Sequence, residues 1–119
     1  MKVVRIDDVT AEAVAGALFP GGGVTRRSLV SARDSAQLSF TLLSFAAGAG
    51  NAFHTHSQDQ VLVVTAGTGI VATEHGTREI TAADIVLIPA GENHWHAGSG
   101  ESPVSFISVT PPGTTTHVT

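Results

Sequence analysis

Two histidine pairs carry most of the chemistry available to this chain: His54 and His56 in "AFHTHSQDQ", and His94 and His96 in "GENHWHAG". They account for four of the six histidines. One residue separates the members of each pair, so on a strand both rings point to one face while Thr55 or Trp95 points to the other. Two imidazoles from one strand and a third from a neighbouring strand make a set of neutral nitrogen donors. Such a set suits manganese, iron, nickel, copper or zinc. Gln60 follows His56 closely and, on a strand beginning there, shares a face with Leu62 and Val64. The chain has no cysteine, which excludes a thiolate-bound metal and a disulfide scaffold. His75 lies beside Gly76 in a turn and His117 lies near the end, and both read as solvated.

Side chains can be presented in this way only by a sheet, and the pattern supplies one. From Arg26 onward, runs of β-branched and apolar residues alternate with turn residues at the spacing of a sandwich or barrel. The runs are "RSLVSA", "QLSFTLLSF", "AFHTH", "QVLVVTA", "GIVATE", "TREI", "DIVLIPA", "NHWHAG" and "VSFISVT". "EHGT" reads as a hairpin turn and "SGESP" as a loop. "KVVRI" reads as a short leading strand. "TAEAVAGAL" is the one candidate helix, with Thr10 as its cap and Pro20 and the glycines after it as its end. The expectation is one all-β domain over residues 1–119, with its barrel at about 27–110 and an unpatterned tail at 111–119. Closure into a barrel would remove exposed sheet edges.

Composition narrows the partners. The net charge of -4 and pI near 5.8 argue against nucleic acid, which needs a basic face. No apolar run reaches the length of a membrane span and no signal-peptide pattern follows the start, so the expected location is cytoplasmic. A hydrophobic fraction of 42% against 13% charged residues describes a compact fold rather than a disordered chain.

The glycines and histidines fall in a recognisable order. Gly48, His54, His56, Gln60 and Gly67 resemble the first signature of the cupin superfamily, with Gln60 where a glutamate usually stands. Ala83, Pro89, Gly91, His94 and Gly98 resemble the second, with alanine for its opening glycine and glycine for its closing asparagine. The spacing of both is kept, and the resemblance covers at least residues 38–110. It implies a double-stranded β-helix, a small jelly-roll barrel with a divalent metal near one open end. It carries over His54, His56 and His94 as ligands, with Gln60 as the fourth. His96 would then face the cavity as a proton carrier or substrate-holding group, since imidazole titrates near neutral pH.

Within the superfamily, the chain is similar to small bacterial cupins associated with carboxymuconolactone decarboxylase, a group that includes manganese-dependent hydroxynitrile lyases using three histidines and a glutamine. Manganese is therefore the favoured metal, with iron, nickel, zinc or copper as alternatives. The last strand presents Phe106 and Thr110 where lyase-type relatives carry more polar groups. Other small cupins are oxygenases or accessory proteins of aromatic polyketide pathways, and homodimers are common among them.

Glutamine in place of glutamate changes the electrostatics. Three imidazoles and an amide leave a divalent ion with its full +2, where a carboxylate would leave +1. Such a centre favours an anionic ligand and polarises a bound carbonyl or hydroxyl more strongly. Alternation along the strands gives Thr41, Leu43, Phe45, Leu62, Val64 and Phe106 as the wall of an apolar pocket for a small-molecule substrate. Two readings follow: a mononuclear metal lyase, isomerase or oxygenase, and a non-catalytic module that binds a small molecule on the same barrel.

Overall fold

The structure, a computed structural model, describes residues 1–118. Its strands are β1 (Glu12–Ala13), β2 (Val24–Val30), β3 (Ser39–Phe45), β4 (His54–His56), β5 (Gln60–Thr73), β6 (Gly76–Thr81), β7 (Ile85–Ile88), β8 (His94–Gly98), β9 (Val104–Thr110) and β10 (Thr115–His117). All pair antiparallel in one curled sheet ordered β1-β2-β3-β9-β5-β8-β4-β10, with β6 and β7 also on β5. This is the jelly-roll architecture that the signatures imply.

Strand β5 makes the curl possible. The runs "QVLVVTA" and "GIVATE" form one strand of 14 residues. Its first part, from Gln60, pairs with β7 and β9, and its second part, to Thr73, pairs with β6 and β8. The register against β9 shifts between Val64 and Ala66. A bulge of this kind bends a strand and increases its twist, so β5 can pass from one wall of the barrel to the other. At Gly67, just past the bend, φ is +76° and a Cβ would collide with the Pro103 carbonyl, so only glycine fits. Two residues, Glu74 and His75, turn the chain into β6, with Thr73 opposite Gly76.

Alternation on β5 sends Gln60, Leu62 and Val64 inward, all buried. Leu62 and Val64 join Val24, Phe45, Ile80, Ile88, Val104 and Phe106 in one apolar core. Burying each of the larger side chains contributes roughly 1.5–3 kcal/mol. The core borders the histidines, with Phe45 and Phe106 packed against His96. On the outer face, Ile85 and Leu87 of β7 stay 63% exposed.

Three expectations fail at the ends of the chain. Residues 1–5 form no strand: Lys2 is tied to Asp34 at 2.8 Å while Val3 points into solvent. The helical segment is one 3-10 turn at Ile6–Asp8, not a helix through Thr10–Leu18. There Glu12 and Ala13 pair with Arg26 and Thr25, and Val14 and Phe19 pack on the core. A stretch this short cannot sustain a helix alone, so packing decides its conformation. The third is the segment after residue 110, where Thr115–His117 pairs residue for residue with β4.

Candidate metal centre

Pairing of β4 with β8 sets His54 directly opposite His94. His56, one pleat further along β4, falls on the same side. The ring centroids lie 4.2 Å apart for His54 and His94, 4.8 Å for His54 and His56, and 5.1 Å for His56 and His94. One ring nitrogen from each, all within 4.8 Å of one another, forms a group that can hold a metal ion. Metal–imidazole bonds of about 2.0–2.1 Å put two donors at most about 4.2 Å apart, so the rings must close somewhat around an ion.

The outer nitrogens explain why the inner ones converge. His54 Nδ1 donates to the Ala52 carbonyl at 2.7 Å, and His94 Nδ1 donates to the Glu92 carbonyl at 2.8 Å. A neutral ring that donates through Nδ1 has its lone pair on Nε2, the tautomer a metal requires. His56 Nδ1 meets the Thr115 hydroxyl of β10 at 2.9 Å. The inward nitrogens of His56 and His94 are buried with no hydrogen-bond partner.

Gln60 completes the pattern. Its amide nitrogen donates to the Ser108 hydroxyl on β9 at 2.8 Å, which leaves the carbonyl oxygen buried and unpartnered. That oxygen approaches His56 closely enough to favour its protonated form, without forming a hydrogen bond within ordinary limits. An orphaned buried acceptor costs about 1–3 kcal/mol. Three such atoms beside one cavity (two imidazole nitrogens and an amide oxygen) are donors of the kind a metal site uses. The residues present therefore fit a divalent transition metal.

Burial holds the rings neutral. It pushes His54 down to about 4, with the neighbouring imidazoles adding to the effect against the Ala52 hydrogen bond. His56 and His94 are lowered by burial as well. His96 lies well below its usual value, first through burial and then through the nearby histidines. It packs edge-on against Phe45 and Phe106, with ring centroids at 5.5 and 5.0 Å. Asn51 grips it from both sides of the chain. The Asn51 carbonyl accepts from the His96 backbone N–H at 2.9 Å, while its amide nitrogen stands 3.2 Å from Nδ1.

A cavity of about 270 Å³ opens onto this cluster. Thr41 and Leu43 line it, as alternation predicts, along with His54, His56, Gln60 and His96. Phe45, Leu62, Val64 and Phe106 do not line it. They are buried in the core beneath, where Phe45 and Phe106 support His96. Val14, Leu18 and Phe19 also line it, together with Arg26, Asn51, Ser108, Thr110 and Thr115. Sequence reasoning missed Asn51, Ser108 and Thr115 because their partners lie 45, 48 and 59 residues away. For Ser108 a signal existed: "VSFISVT" places it on the face of Phe106. His75 and His117 are exposed, as expected.

Residues 41–110 match the family model described as a cupin domain. Over 89 residues the chain is 35% identical to (R)-mandelonitrile lyase of Granulicella tundricola, covering 74% of this chain and 68% of that protein. Among solved structures, the polyketide cyclase RemF from Streptomyces resistomycificus superposes with a TM-score of 0.89 at 23% identity, over 100% of this chain and 86% of the other. A cupin-like protein from Thermotoga maritima gives 0.83 at 23% identity, over 89% and 83%. At such identities these structures bear on the fold alone.

Proposed function

The chain belongs to the cupin domain family, and we propose that it is a mononuclear metalloenzyme of the lyase type, acting on a small hydroxynitrile or a related compound with a carbonyl or anionic oxygen. His54, His56, His94 and Gln60 hold the ion, manganese first among those such donors accept. One observation carries this reading: ring nitrogens of His54, His56 and His94 lie within 4.8 Å of one another, and beside them the Gln60 oxygen and the inner nitrogens of His56 and His94 are buried without a partner. A divalent ion bound there supplies Lewis acidity, undiminished by any carboxylate among the donors. Similarity to a mandelonitrile lyase supports the substrate class.

The chain's own residues account for the remainder. Leu43 and the other apolar residues of the cavity wall, Val14, Leu18 and Phe19, receive the body of the substrate. His96 moves the proton. As the bond between the carbinol carbon and the nitrile breaks, its electron pair leaves with cyanide and the O–H pair becomes the carbonyl π bond. The proton passes through His96 to cyanide, giving an aldehyde and hydrogen cyanide. Asn51 keeps the ring aimed through its contacts with the His96 ring and backbone. We also assign a homodimer, in which a second copy covers Ile85 and Leu87 on β7.

The test is anaerobic cleavage of mandelonitrile by protein loaded with manganese, followed by benzaldehyde absorbance. Turnover that survives the exclusion of oxygen and drops about a hundredfold or more in His96→Gln supports the reading. A fully metal-loaded protein that leaves aromatic and aliphatic hydroxynitriles intact would remove the lyase assignment and favour a binding role.

A further inference from the structure

The concave side of β2 carries a charge that the barrel does not need. Val24 on this strand is buried in the core, and Arg26, two residues on, shares its face. Its neighbour Arg27 turns to the other side, within 3.4 Å of Asp7. Arg26 instead lines the cavity that holds His54, His56, Gln60 and His96. Across the strands it stands opposite Leu43 on one side and Glu12 on the other.

Arg26 is the one permanently ionised side chain lining this cavity among the described residues. The protein as a whole is negative, so the mouth of the cavity runs against the net charge. Its ion pair with Glu12 is long, 3.9 Å, and both side chains are largely in water, at 49% and 70% exposure. An exposed pair of this kind contributes little to stability and yields readily to a competing anion. Val14, Leu18 and Phe19 stand beside it on the cavity wall. The space of about 270 Å³ equals roughly nine waters at about 30 Å³ each.

We propose that Arg26 reads a carboxylate, and that beside the neutral hydroxynitrile the cavity takes small organic acids with a short apolar or aromatic body, the carboxylate at Arg26 and a second oxygen facing the histidine cluster. The guanidinium fork matches a carboxylate with two parallel hydrogen bonds, and Val14, Leu18, Phe19 and Leu43 cover the apolar body. Glu12, 3.9 Å away, stands near the fork without filling it and yields to the ligand. Only the placement of the second oxygen rests on the metal reading above; recognition by Arg26 does not.

Calorimetric titration with benzoate, its neutral isostere benzamide, and azide separates these ideas once metal content has been measured. Benzoate should bind the parent at least tenfold more tightly than benzamide. Arg26→Met should lose that preference, and Arg26→Lys should keep part of it, while azide affinity and metal content stay as in the parent. Unchanged benzoate affinity in Arg26→Met would overturn the proposal, and so would an equal loss for azide, which would mean a general field rather than recognition. If the protein takes up no metal, the lyase reading fails, and the benzoate preference and its loss in Arg26→Met still decide the role of Arg26.

Discussion

His94 and His56 face the same point but are held there by different means. His94, like His54, is oriented by a backbone carbonyl two residues upstream, so strand and ligand come as one local unit. His56 is oriented by a hydroxyl from β10, 59 residues further along the chain, which pairs with β4. A carbonyl can only accept, which fixes the tautomer of His54 and His94. A hydroxyl can donate or accept, so the tautomer of His56 is not fixed by its partner. The comparison teaches that two ligands are set by local sequence and the third is set by the segment that looks least structured.

The largest effect should come from cutting that long-range tie. Thr115→Val is expected to weaken metal binding by about 10–100-fold, the usual cost of losing an outer partner of a ligating imidazole. Thr116→Val, beside it on the same strand, makes no such contact and should bind metal like the parent. Competition titration with a chromophoric chelator reads both. Equal losses would mean that β10 acts merely by covering β4, and the contrast between the two ligands would collapse.

Gln60 sharpens the comparison from the opposite wall. Its oxygen is left free by Ser108, as the nitrogens of His54 and His94 are left free by carbonyls. Gln60→Glu should keep or tighten metal binding but lower affinity for cyanide or azide by about tenfold, equivalent to ~1.4 kcal/mol. Anion affinity equal to the parent's would show that the charge of the donor set does not govern capture.

Acid should act on the same cluster. His54 titrates lower in the folded protein than in the unfolded chain, so the unfolded state binds more protons in between. The contribution to stability is therefore complete above pH ~6.5 and is lost as the pH falls toward about 4. Melting temperatures of the metal-free protein should drop across that window, and less steeply in His54→Gln. A slope that is the same in both would place the acid sensitivity elsewhere.

The smallest effect concerns the loop between β6 and β7. Ala83 adopts φ +76°, a left-handed conformation that costs a non-glycine residue roughly 1–2 kcal/mol. It stands where the signature has glycine, so Ala83→Gly should stabilise by about 1 kcal/mol or less, because glycine also gains freedom in the unfolded chain. Denaturant midpoints would reveal it, with metal affinity unchanged.

Sequence made the histidine geometry legible because alternation on a strand is local: His54 with His56, and Gln60 with Leu62, need no partner strand to be placed. The inward Thr41 and Leu43 followed by the same logic. Phe45, Leu62, Val64 and Phe106 were assigned to the right face but the wrong depth, since alternation does not say how far down the barrel a residue lies. Thr115–His117 was illegible for another reason. All three side chains are exposed, and the strand exists through backbone pairing with β4, which leaves no hydrophobic pattern. Thr10–Leu18 misled because its alanines favour a helix while Val14 and Phe19 have a better place against the core.

The most direct test of the central claim is elemental analysis of untagged protein beside His94→Ala and Thr115→Val. Close to one transition metal per chain in the parent is expected, with almost none in His94→Ala and a reduced share in Thr115→Val after dialysis. A parent protein that stays metal-free in excess manganese, nickel and zinc would contradict it.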